Sequence, residues 1–205
     1  MKILVLLAHP NEKSFNHAIS ESAVKALEEN GHEIRFHDLY AEGFDPLLKS
    51  EELSDEYEPQ GLLAEHCRDL GECDAALVLH PNWRDQPPAI LKGWIDRVIR
   101  TGVAFRYEGE KGEHGQMVGL LGGKRALVIT TSDCPPSVEM ELGYPMRKIW
   151  RDYVFEESGM DEVEFMEFYE VLFSSDEMRK EWLEEVYTRC LITFPKKTFP
   201  KNEAE

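Results

Sequence analysis

The chain has 205 residues, 42% of them hydrophobic and 31% charged, and 40 acidic side chains against 23 Lys and Arg give a formal net charge of -17. This is the profile of one globular domain with a sizeable core, not of a disordered segment. The charge argues against a nucleic-acid backbone or an anionic membrane surface as a large partner, and no apolar run approaches the roughly 20 residues of a bilayer span.

Residues 3–8 are continuously apolar, as in a strand covered on both faces, and are too short for a secretory signal. A polar loop at 9–16 leads into a helix carrying Ile19, Ala23, Ala26 and Leu27 on one stripe and ending at Asn30-Gly31. Residues 33–39 read as a second strand, which completes a β-α-β unit. An acidic, irregular stretch follows to residue 60, with room for a short helix at 50–55, and then a helix over 60–70. The third strand covers 75–79. A stiff loop holding Pro81, Trp83, Pro87 and Pro88 joins it to an amphipathic helix over 88–100. Residues 101–124 form a long Gly-rich, charged connector, of the kind used for lids or partner contacts. A strand at 125–131 and a loop at 132–136 come next. A helix with Met146, Ile149, Trp150, Tyr153 and Val154 on its stripe follows, then a strand at 163–169 and a helix at 176–190. The reading is one domain over 1–194 with a loosely ordered tail at 195–205.

This alternation implies an α/β sandwich of three layers around a five-stranded parallel sheet, and five strands fit the flavodoxin-like order 2-1-3-4-5. In that order the loops at 9–16 and 81–88 face each other across the switch point, with 131–136 alongside. No G-x-G-x-x-G, Walker A, G-x-S-x-G or H-E-x-x-H pattern occurs, so a glycine-rich dinucleotide turn, a serine hydrolase elbow and a metal site are not expected. Cys67, Cys73, Cys134 and Cys190 form no C-x-x-C and no regular framework, which points to free thiols in a reducing cytoplasm. Ser14 or Asn16 suits an N-cap, and the first-turn N–H groups behind it suit a phosphate. Trp83, with polar Asn82, Arg84 and Asp85 around it, suits a cleft rim where an aromatic stacks on a planar ligand.

Several blocks, in order, resemble the flavodoxin-like NAD(P)H dehydrogenases (quinone reductases), a family that includes ancillary subunits of bacterial potassium-efflux systems. They are Ala8-His9-Pro10 with Ser14-Phe15-Asn16, Asp38-Leu39-Tyr40, Pro88-Ala89-Ile90-Leu91-Lys92-Gly93-Trp94, Gly102-Val103-Ala104-Phe105, and Gly123-Lys124 leading into Thr130-Thr131. The resemblance implies non-covalently bound FAD or FMN, NAD(P)H as co-substrate and a quinone-like small-molecule acceptor. Hydride would pass through flavin N5 in a ping-pong sequence. It places His9, Ser14, Phe15 and Asn16 at the phosphate end, Pro81, Asn82, Trp83 and Arg84 beside the ring, and Thr130, Thr131 and Ser132 on a third wall. It also implies a homodimer, with Phe105 and Tyr107 of the partner closing the pocket. It names no catalytic residue; Tyr144 is a candidate in the loop past Ser132.

Two positions depart from the family pattern. Arg84-Asp85 stands where aromatic or small residues are usual, and Ser132-Asp133 follows the threonines where glycines are usual. Arg84 either stacks on a ring or donates to its carbonyls, or it spoils the stacking surface. These departures motivate an alternative function, a weakly catalytic or non-catalytic flavin-binding regulatory subunit of a membrane transport system that itself does not insert in the bilayer.

Overall fold

A computed structural model describes residues 1–54, 56–109 and 115–196. The tail expected to be loosely held lies, from residue 197 onward, outside the described residues. In chain order the elements are β1 (Lys2–Leu7), α1 (Phe15–Glu29), β2 (Glu33–Asp38), a 3₁₀ turn (Ser50–Leu53), α2 (Gly61–Glu72), β3 (Ala75–Pro81) and α3 (Ala89–Val98). There follow β4 (Phe105–Glu108), β5 (Gln116–Gly119), β6 (Arg125–Thr131), α4 (Pro136–Glu141), α5 (Pro145–Lys148), a π-helical segment (Ile149–Glu156), β7 (Glu162–Phe168), a 3₁₀ turn (Val171–Phe173) and α6 (Asp176–Thr193).

Five strands form a parallel sheet in the order β2-β1-β3-β6-β7, the expected flavodoxin-like arrangement once the β4–β5 hairpin is set aside. Side chains alternate along each strand. Ile3, Val5 and Leu7 pack with Ile19, Ala23 and Leu27 of α1 and with Val186 and Cys190 of α6. Leu4, Leu6 and Ala8 pack with Leu63 and Leu70 of α2 and with Leu91, Trp94 and Val98 of α3. Burial on both faces is why β1 and β3 read as unbroken apolar runs. Burying each large side chain stabilises the fold by about 1.5–3 kcal/mol, so two filled layers hold β1 and β3 in the centre of the sheet.

Three features differ from the sequence reading. The connector at 101–124 carries an antiparallel hairpin, Phe105 pairing with Gly119 and Glu108 with Gln116. Pro136 starts a short helix, α4, where a loop was expected, because proline suits a first helical turn. The helix expected on a 3.6-residue stripe widens into a π-helix, whose i→i+5 bonds shift the buried face to Trp150, Val154 and Phe155 and turn Tyr153 outward to 64% exposure.

One glycine is fixed by packing. A Cβ at Gly93 of α3 would lie 2.2 Å from the Pro46 carbonyl oxygen, so the 45–53 segment seats directly on the helix there. The seat is secured by the Arg97 guanidinium, which donates to both carboxylate oxygens of buried Glu52 at 3.1 Å and to the Asp45 carbonyl at 2.5 Å.

Candidate active site

The loops that leave the carboxyl ends of β1 and β3 start level with one another. The Ala8 amide donates to Leu79 at 3.0 Å and the Asn82 amide to Thr131 at 2.7 Å, so the ladder runs on into the loops before the chains diverge. After β1, the Asn11 amide donates to Nδ1 of His9 at 3.1 Å. His9 therefore accepts at Nδ1 and carries its proton on Nε2; burial, the largest influence, lowers its pKa and keeps it neutral. Ser14 caps α1, its Oγ accepting from the His17 amide at 3.3 Å and contacting His17 Nδ1 at 2.9 Å, while His17 Nε2 meets Asp38 at 3.1 Å. The amides of Phe15 and Asn16 open the helix with no carbonyl of an earlier turn behind them, and the positive end of the helix dipole lies with them.

Asn16 is the joint between the first and third walls. It is 3% exposed, and its Nδ2 donates to Thr131 Oγ1 at 2.8 Å. Its Oδ1 is buried and finds no donor among the described residues. On the second wall, Trp83 and Gln86 exchange backbone hydrogen bonds of 3.1 and 3.2 Å and close a two-residue turn. The two central residues, Arg84 and Asp85, both have positive φ, 55° and 59°. This left-handed geometry suits a tight hairpin turn but strains non-glycine residues. Trp83 stays at the base of the turn, 44% exposed, its ring 6.0 Å from that of His9. Beneath it, His80 is fully buried: Nδ1–H donates to the Pro81 carbonyl at 2.9 Å and Nε2 accepts from Trp150 Nε1 at 2.8 Å. Burial lowers its pKa to about 4, so it is a neutral strut that fixes the start of the loop.

The third wall is Thr131, Ser132 and Asp133. Asp133 Oδ1 accepts from the Leu172 amide at 2.7 Å and clips the turn after β7 to the loop after β6. This brings Val171, Leu172 and, from α6, Arg179 to the mouth. Arg179 donates to Ser174 Oγ and the Val171 carbonyl, both at 2.9 Å, and lies 5.9 Å from the Phe15 ring centre.

These three walls enclose a cleft of about 250 Å³. Of the predicted site residues, His9, Phe15, Asn16, Pro81, Asn82, Trp83, Thr131 and Ser132 line it. Ser14 does not, because its hydroxyl is spent on the cap. Arg84 is carried to the exposed tip of its turn, and the cleft wall there is Trp83 and Asn82. Thr130 is 4% exposed and, by strand alternation, points to the face opposite Thr131. Phe105 and Tyr107 border a separate depression of about 490 Å³ beside Tyr57 and Arg100. Tyr144 lies under the Arg147 guanidinium at 4.2 Å, away from the cleft lining. Sequence reasoning missed Leu172 and Arg179: they reach the cleft only through the position of β7, which no local pattern encodes.

A second polar cluster lies under α2 and α3. His37 of β2 meets Glu42 at 2.8 Å and Asp69 at 3.1 Å, His66 meets the other Glu42 oxygen at 3.1 Å, and Trp94 Nε1 donates to His66 Nδ1 at 3.0 Å. The donor set could ligate a metal only if His66 Nε2 were the free lone pair. Trp94 occupies the Nδ1 lone pair, which puts the proton on Nε2 toward the Glu42 carboxylate and leaves no lone pair there for a metal.

A family model described as a flavodoxin-like fold matches residues 1–190. The chain is 33% identical over 190 residues to an uncharacterized NAD(P)H oxidoreductase of Haemophilus influenzae, covering 90% of this chain and 91% of that protein. It is 32% identical over 125 residues to NAD(P)H dehydrogenase [quinone] 1 of Cavia porcellus, covering 52% of this chain but only 46% of that protein. Among solved structures, the NAD(P)H:quinone oxidoreductase of Methanothermobacter marburgensis superposes with a TM-score of 0.78 at 25% identity, over 93% of this chain and 95% of the other. With its sheet order, its paired switch-point loops and a match along nearly its whole length, the chain belongs to the flavodoxin-like fold family.

Proposed function

We propose that the chain is a flavin-dependent NAD(P)H oxidoreductase acting on quinone or quinone-like acceptors. The observation that carries this reading is the buried Asn16–Thr131 hydrogen bond, which ties the N-terminus of α1 to the end of β6 in a cleft whose remaining wall carries the aromatic rim of Trp83. The residues present fit a flavin. Asn16 Oδ1 is a buried acceptor without a donor, as a ribityl hydroxyl or a ring N–H would need. The first-turn amides of Phe15 and Asn16 and the nearby Arg179 suit a phosphate despite the net charge of -17. Trp83 and His9 offer a ring face and an Nε2–H donor.

A bound flavin supplies two-electron chemistry, accepting hydride from NAD(P)H and passing reducing equivalents to the acceptor. This chain's residues bind and orient. Pro81 and the Pro87-Pro88 pair stiffen the Trp83 loop, neutral His80 fixes its root, and Thr131 and Ser132 close the opposite side. The cleft is smaller than most cofactor pockets, which run from about 300 to 1,000 Å³. A second copy of the chain completing it is part of the proposal, with Phe105 and Tyr107 on the closing surface. Among the described residues no helix is long and apolar enough to cross a membrane and no cysteine is paired; a cytoplasmic location is part of the proposal.

The test is direct. Purified full-length protein is titrated with FMN and with FAD, then reduced by NADH or NADPH and reoxidised by a benzoquinone. A yellow complex bleached by the nicotinamide and recoloured by the quinone is expected. Failure to bind either flavin would sink the reading.

A further inference from the structure

Behind the cleft wall stands a carboxyl group that the proposed chemistry does not use. Glu139 of α4 is 2% exposed, and its Oε1 accepts from Nδ2 of Asn82 at 2.5 Å. Asn82 lines the cleft. The remaining oxygen of each side chain, Glu139 Oε2 and Asn82 Oδ1, is buried and finds no donor among the described residues. A carboxylate leaves both as unpaired acceptors, which native structures avoid. A proton on Oε2 turns that atom into a donor, and the buried acceptor left over on the paired amide is Asn82 Oδ1.

The neighbours favour the same state. Asp85 of the strained turn and Glu167 of β7 present like charge to Glu139, and Tyr169 and Cys134 stand in the same cluster. Arg147 of α5 faces it too, but its guanidinium is already held by Glu167. Burial first, then Asp85 and Glu167, raise the Glu139 pKa above the usual carboxyl range, against the pull of the Asn82 hydrogen bond and Arg147.

We infer that Glu139 is a neutral carboxylic acid paired face to face with the Asn82 amide, and that it is the positioning residue that fixes which polar atoms of Asn82 face the cleft. Neutral Glu139 locks the amide and keeps charge off the back wall. Ionised Glu139 sets two oxygens against each other, releases the amide and puts a negative charge behind the ligand. The preferred ligand is then a planar heterocycle with an electron-rich carbonyl edge, and its binding weakens as pH rises; this ligand assignment rests on the flavin reading above.

The experiment uses the full chain, wild type and Glu139→Gln, whose amide reproduces both hydrogen bonds of the neutral acid. In ligand-free protein the infrared difference between the two should show the carbonyl stretch of one protonated carboxyl that persists above the pH at which exposed glutamates ionise and is lost as the pH is raised further. A difference confined to carboxylate bands overturns the inference whether or not flavin binds. With FMN as the probe, the wild-type Kd should climb by up to tenfold per pH unit above the Glu139 pKa. Glu139→Gln should hold the low-pH affinity with no slope, and Glu139→Ala should bind weakly at every pH. An identical slope in wild type and Glu139→Gln refutes the positioning role. Absence of FMN binding at all pH values refutes the flavin reading instead, and the infrared result still decides the state of Glu139.

Discussion

Replacing Asn16 tests whether the joint between the first helix and β6 both stabilises the fold and serves the cleft. In Asn16→Ala, the 2.8 Å bond to Thr131 is lost inside a region where Asn16 is 3% and Thr131 6% exposed. The bond itself is worth about 1 kcal/mol net, and a buried Thr131 hydroxyl left without its partner adds about 1–2 kcal/mol. A destabilisation of about 2 kcal/mol at a urea m-value of roughly 2 kcal/mol/M moves the unfolding midpoint down by about 1 M. FMN affinity should fall about tenfold as the Oδ1 acceptor disappears, which is about 1.4 kcal/mol. Asn16→Asp separates the two effects. Its carboxylate can accept from the Thr131 hydroxyl and sits favourably in a first helical turn, so the midpoint should drop by less than half as much. Its charge lies where a phosphate would bind, so FMN should bind more weakly than to Asn16→Ala. The paired measurements are urea unfolding followed by tryptophan fluorescence, and FMN titration. An unchanged midpoint in Asn16→Ala, or wild-type FMN affinity in Asn16→Asp, refutes the reasoning.

Gly93→Ala should destabilise by about 1–3 kcal/mol in urea unfolding, because its Cβ would overlap Pro46 at 2.2 Å; a gain of about 1 kcal/mol, as helix propensity alone predicts, would show that the seat yields freely. Trp83→Ala should change stability by less than about 0.5 kcal/mol, since the side chain is 44% exposed, yet weaken FMN binding roughly threefold to tenfold by loss of ring contact; equal binding would remove Trp83 from the site. His37 should make stability fall as pH rises: burial opposes its charge, but Glu42 and Asp69 outweigh burial and raise its pKa above 6.5. That contribution is complete below the unfolded value and is lost as pH climbs through the folded one, so His37→Gln should flatten the neutral-to-alkaline limb of a urea-midpoint profile. In the same network Glu42, with a pKa lowered to about 2, contributes above the ordinary carboxyl range and fails only as pH drops toward 2.

What the sequence carried legibly is what short-range patterns encode. Unbroken apolar runs at β1, β3 and β6 follow from burial on both faces, and the loops after β1 and β3 follow from strand order once the alternation is read. The illegible parts depend on where a distant element lands. Arg179 and Leu172 reach the cleft because Asp133 clips the turn after β7, and its partner there, the Leu172 amide, lies 39 residues away in the sequence. Glu139 stands in a stretch whose prolines suggest a loop, and only the short helix α4 turns it toward Asn82. The β4–β5 hairpin escapes because its strands are four residues long and flanked by glycines, too short to show a period.

Arg84-Asp85 shows how residues beside a cleft-lining aromatic can stand outside the cleft lining. Adjacency to Trp83 suggests a ring contact, but both residues take positive φ and neither lines the cleft. Neither is a residue type that tight turns of this kind select, since Asn-Gly and Asp-Gly do so at less cost. Each left-handed non-glycine residue costs about 1–3 kcal/mol and persists only where the surroundings over-determine it. Here the Trp83–Gln86 hydrogen bonds, the following prolines and neutral His80 beneath supply that constraint. The strain also holds Asp85 toward Glu139, where its charge helps keep that carboxyl protonated. Asp85, one of the residues that depart from the family pattern, is thus better understood through Glu139 behind the wall than through a ligand in front of it.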